Sequence, residues 1–108
     1  MDIIYNFSGS PGITSVLTVS NIAVPLPDTQ LSTSWTRSRA IASIITCEGA
    51  SVRIAFNIDP TNSFGHILYP GQSLYLSNPV AVRTFRVIQA NAGQTAILHI
   101  THEYALGK

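Results

Sequence analysis

The chain's 108 residues, 45% of them hydrophobic, make one domain with a formal net charge of +1. Only 10% of its residues are charged, against roughly 25% in ordinary soluble domains, which excludes a disordered or highly charged helical chain. Five arginines and one lysine are scattered along it, and the pI is about 8.0. That is no basic stripe for nucleic acid, which brings a domain pI above about 9, and it gives no electrostatic reason to seek a membrane. Twelve Ser, ten Thr, six Asn and four Gln supply the polarity instead.

In chain order, the start at Asp2-Ile3-Ile4 shows no basic segment ahead of an apolar one, so no secretory signal is expected. No apolar run reaches the roughly 18 residues of a membrane span, and the product is expected to stay in the cytoplasm. Strands are expected at 3–7, 16–24, 40–47, 52–56, 66–69, 73–76, 82–89 and 96–104. Val52, Ile54 and Phe56 alternate with Arg53, as in a half-buried strand. The other runs are rich in Ile, Val and Thr, which suit a pleated surface. Between them lie Gly9-Ser10-Pro11-Gly12, Asp59-Pro60, Pro70-Gly71, Asn78-Pro79 and Asn91-Ala92-Gly93, all turn chemistry. No stretch keeps a 3.6-residue period, so no long helix is expected. The fold class is all-β, a single antiparallel β-sandwich domain over 1–108 with about eight short strands.

The stretch 25–40 breaks the pattern with Pro25, Pro27, a run of Ser/Thr hydroxyls, Trp35 and Arg37. It reads either as an unresolved strand around 31–35 or as an extended arm or contact loop, a common use of long loops. On the second reading Trp35, Arg37 and Arg39 contact a partner, Trp and Arg being enriched at binding hot spots. Residues 1–12 are a second candidate arm.

The runs 82–90 and 96–104 are expected to form an antiparallel hairpin pairing Arg83 with Glu103, Phe85 with Thr101 and Val87 with His99. Both faces of that hairpin would be substantially apolar, and another subunit is the expected cover for the second.

No residue pattern carries catalysis. The chain has no phosphate-binding glycine loop, no Gly-x-Ser-x-Gly and no cysteine pair. Asp2, Asp28, Glu48 and Asp59 fall at ends or turns. His99 and His102 lie three apart and point to opposite faces of a strand; His99 and Glu103 share a face about 13 Å apart. His66, beside Gly65, reads as a turn or core residue. Cys47 reads as a small buried hydrophobe. Arg53 is expected to pair with Asp59, and Arg86 either supports the structure or faces a subunit. No enzyme activity, cofactor or metal is expected.

The second half of the chain runs Val52-Arg53, Asp59-Pro60-Thr61, Gly65-His66-Ile67-Leu68, Pro70-Gly71-Gln72-Ser73-Leu74 and Phe85-Arg86-Val87-Ile88. It closes with Leu98-His99-Ile100-Thr101-His102-Glu103-Tyr104. With Ala42-Ser43-Ile44-Ile45-Thr46-Cys47-Glu48-Gly49 ahead of it, this stretch resembles a family of small structural proteins of tailed bacteriophages; the first forty residues carry no resemblance. The resemblance implies a jelly-roll-like sandwich made in the host cytoplasm and ending on the virion. The implied role is decoration (cement) of the capsid surface, binding major capsid protein at contacts between capsomers. A homo-oligomer is expected, trimer first and dimer second, with no nucleic acid and no membrane as partner. The rival readings are a carbohydrate- or receptor-binding sandwich at a tail-fibre tip, with Trp35, Tyr69 and Tyr75 as stacking aromatics, and a head-completion or tail component. A cupin-like metalloenzyme is the remote third.

Overall fold

The computed structural model describes residues 10–26, 32–33 and 38–104. The fold is all-β, two antiparallel sheets facing each other across one apolar core. The first sheet holds β1 (Ser10–Pro11), β2 (Ser15–Val19), β4 (Ser32–Thr33), β5 (Ser38–Glu48), β8 (Ser73–Leu76) and β10 (Ala96–Tyr104). Its six strands make four rows, because β1 and β2 pair in turn with β10, and β4 and β8 pair in turn with β5. The second sheet runs β3 (Val24–Pro25), β9 (Phe85–Gln89), β6 (Val52–Phe56), β7 (His66–Leu68).

Two-residue periodicity sorts the side chains. Val19, Ile45, Cys47, Leu98 and Ile100 of the first sheet meet Val52, Ile54, Phe85 and Val87 of the second, all buried. Each such side chain contributes roughly 1.5–3 kcal/mol by leaving water. Cys47 lies among them, its thiol donating to the Ala50 carbonyl at 3.1 Å, and burial pushes its pKa up. The buried thiol is expected to react with a soluble disulfide reagent only as fast as the fold opens. Fast labelling of the folded protein would contradict its placement.

Side-chain hydrogen bonds link neighbouring segments on the outer side of the first sheet. Thr14 and Thr101 hydroxyls lie 2.7 Å apart, Thr46 and Ser73 hydroxyls 2.9 Å, and Tyr75 donates to Glu103 Oε2 at 2.8 Å. His99 Nε2 donates to Glu48 Oε1 at 2.6 Å.

Several expectations are corrected. Strands β9 and β10 do not form a hairpin; they belong to opposite sheets, and the 90–95 connection crosses the sandwich. As one hairpin they would leave an apolar face bare. In facing sheets Phe85, Val87, Leu98 and Ile100 all enter one core. The 16–24 run is two strands, β2 and β3, in different sheets. Residues 82–84 are not strand but the end of helix α1 (Pro79–Thr84). The Asn78-Pro79 turn signal starts that helix, with Asn78 Oδ1 accepting from the Ala81 amide at 2.8 Å and Pro79 in the first turn. The expected strand at 3–7 lies outside the described residues. No described helix is long and apolar enough to cross a membrane.

Candidate functional site

At one end of the sandwich, where β6, the 57–65 loop and α1 meet, several large apolar groups are exposed. Strand β6 ends at Phe56, which pairs with Phe85 across the sheet. The buried Phe85 ring holds the Phe56 ring edge-on, centroids 6.1 Å apart, leaving Phe56 37% exposed. The chain then turns through Asn57 in the left-handed region (φ 66°), a conformation asparagine tolerates better than most side chains. The Asn57 amide donates to Thr84 O at 3.0 Å, tying the turn to the end of α1.

Beyond it the loop folds back over the outer face of the second sheet, buries Pro60 and is clasped by two arginines. Arg53 does not pair with Asp59 as expected. Its Nη1 donates to Gly65 O at 2.7 Å and its Nε to Asn62 O at 3.3 Å. The Asp59 partner is Arg86, with Nε 2.9 Å from Oδ1. The Nε–H does not point along that line, so charge attraction rather than a hydrogen bond carries the contact. The reason is geometric: Arg53 and Arg86 share the outer face on adjacent strands, and the loop brings its carbonyls to one and its carboxylate to the other. Thr61 and Phe64 exchange both backbone hydrogen bonds, at 3.0 and 3.2 Å, which fixes the loop tip.

The loop so held presents Ile58 (56% exposed) and Phe64 (50% exposed) beside Phe56, and α1 adds Val80 (59% exposed). Three shallow open depressions adjoin here. One, of about 400 Å³, is lined by Phe56, Ile58, Phe64 and His66. A second lies between Phe56, Val80 and Ala81. The third is polar and is walled by Asn57, Asp59, Arg83, Thr84 and Arg86. Such a surface offers exposed apolar groups beside charged ones for contact with another molecule.

The residues expected to bind a partner are not among those described at this end. Trp35 and Arg37 lie outside the described residues. Arg39 is in β5, its backbone paired with Ser32, and its side chain lies outside what is described. Of the 1–12 stretch, Ser10 and Pro11 form β1 against Tyr104 and Glu103, and Gly12 donates to His102 O at 2.8 Å. Of 25–40, both ends and the Ser32–Thr33 pair are strand. Tyr69 is exposed, while Tyr75 is half-buried on Glu103. The exposed end at Phe56, Ile58, Phe64 and Val80 was not foreseen. Its signal in the sequence is two bulky apolar residues, Ile58 and Phe64, inside an otherwise polar turn segment.

One buried pair invites a chemical reading. Ser43 Oγ and His102 Nδ1 share a hydrogen bond, and His102 Nε2 has no partner among the described residues. Both residues are fully buried, so no substrate reaches the hydroxyl, and neighbouring Glu103 points the other way along the strand. Burial holds the His102 imidazole down at about 4, hence neutral at pH 7. The pair is a core feature. Among the described residues no three His, Cys, Asp or Glu side chains are grouped to hold a metal ion. Compared with protein-family models, curated proteins and solved structures, the chain matches none.

Proposed function

We propose that this chain is a non-enzymatic virion structural protein that decorates and stabilises an assembled phage capsid at contacts between capsomers. The structural observation that supports the proposal is the order of strand pairing. Eight strands run β2-β10-β5-β8 in one sheet and β3-β9-β6-β7 in the other, and successive strands after β2 cross repeatedly between sheets. That order supports a jelly-roll reading, an architecture used by viral capsid and lectin domains and by cupins. Fold alone does not choose among these. The resemblance to phage structural proteins favours the first, as does a surface poor in charge with an exposed apolar end anchored on the core.

The test is co-sedimentation of the purified protein with assembled shells that lack it. Saturable pelleting at a fixed ratio to capsid subunits, with raised shell resistance to heat, is the expected result. Failure to pellet, together with binding to host glycans, would replace this reading with the receptor-binding one. Trp35→Ala is expected to weaken shell binding while leaving the thermal midpoint nearly unchanged; a large fall in the midpoint would make Trp35 a core residue instead.

A further inference from the structure

We infer that the end of the sandwich formed by β6, the 57–65 loop and α1 docks an extended protein segment carrying a carboxylate next to an apolar side chain. This names the partner chemistry of the contact surface and in that respect rests on the virion reading above. The apolar half of the site is Phe56, Ile58, Phe64 and Val80, exposed but immobilised. Phe56 lies on Phe85, Phe64 sits in the doubly bonded 61–64 turn, and Val80 is in the capped helix. A surface held in place before binding loses little entropy on docking.

The charged half decides the occupant. Two of the chain's five arginines, Arg83 and Arg86, wall the polar depression that adjoins the apolar one at Ile58. Asp59 balances Arg86. Arg83 has no ion-pair or hydrogen-bond partner among the described residues and stands exposed in the last turn of α1. Among the described residues the rim therefore keeps one uncompensated positive charge beside an apolar floor. An arginine fork takes a carboxylate through two parallel hydrogen bonds, with the Thr84 and Asn57 side chains at the same rim. An acidic residue flanked by Leu or Phe matches both halves; a basic segment would be repelled at the rim.

The probes are a labelled Leu-Glu-Phe-Asp-Leu peptide, blocked at both ends, and its Leu-Lys-Phe-Lys-Leu counterpart, read by fluorescence anisotropy against the full chain. The acidic peptide is expected to bind about tenfold more tightly than the basic one. Arg83→Gln should weaken it about threefold, the order an exposed ion pair supplies, and Ile58→Ser should weaken both peptides with an unchanged thermal midpoint. Equal binding of the two peptides, no binding of either, or an Arg83→Gln variant that binds as well as the parent would overturn the inference. Light scattering that shows a dimer broken by Ile58→Ser would overturn it in favour of a second copy. Shell pelleting separates the two proposals. Wild-type and Arg83→Glu proteins that pellet equally sink the docking site and leave the virion role. Peptide binding that requires Arg83, without any pelleting, keeps the site and removes that role.

Discussion

Between pH 6.5 and pH 4 the folded protein is expected to lose on the order of 3 kcal/mol of stability through His102 alone. Burial lowers its pKa from the ordinary 6.5 to about 4, so across this window the unfolded chain binds a proton that the folded one refuses. The contribution is fully present above pH 6.5 and is lost as the pH falls toward 4. Among the described residues nothing relieves the imidazolium: its Nδ1 is committed to Ser43 and its Nε2 meets no acceptor. Denaturant unfolding at half-unit pH steps, compared with His102→Gln, measures the effect. The parent's free energy should fall steeply over the window and the variant's only gently. Parallel pH profiles would mean that His102 reaches water or finds a partner on protonation.

Gly65→Ala is expected to cost about 2–4 kcal/mol. Gly65 has φ of +124°, a region closed to L side chains, and a Cβ there would stand 2.8 Å from the Ile54 carbonyl oxygen and 3.1 Å from Pro60 Cβ. The first neighbour is strand backbone and cannot step aside. The displaced segment would carry away the Gly65 carbonyl that Arg53 holds, loosening the loop that presents Ile58 and Phe64. A fall in the urea midpoint together with faster proteolysis at 57–65 is the expected signature. A midpoint unchanged within about 0.5 kcal/mol would show that the loop shifts freely and is not clasped. Gly71 and Gly93 also have positive φ but meet nothing within 4 Å, so their alanine variants, strained yet unobstructed, should be less damaging.

The local reading of the sequence succeeded where a residue's neighbours in the chain set its environment. The alternation at 52–56 became β6 with Val52 and Ile54 inward and Arg53 outward. Cys47 is in the core, and Gly71 and Gly93 are in turns with positive φ. It failed where the choice lay between partners far apart in the chain. Arg53 is the nearer arginine to Asp59 along the chain, yet the fold-back of the loop gave that carboxylate to Arg86. The runs ending and beginning near 91–95 have the composition of a hairpin, yet their amides pair with β6 and β5 instead. Glu103 is fully buried beside the equally buried His102, which alternation cannot signal, since it assigns one of two neighbours to solvent.

From its sequence alone this protein is an all-β domain of about eight short strands with one core, because period-two apolar spacing and Gly, Pro and Asn turn chemistry act over a few residues. Which strand faces which was decided only in three dimensions, since antiparallel pairing is nearly indifferent to sequence and the winning arrangement is the one that buries the apolar faces of both sheets together. The same packing determined the exposed end. Ile58 and Phe64 are ordinary loop residues until Arg53, Arg86 and Phe85 hold them beside Phe56, next to the exposed Arg83 at the rim.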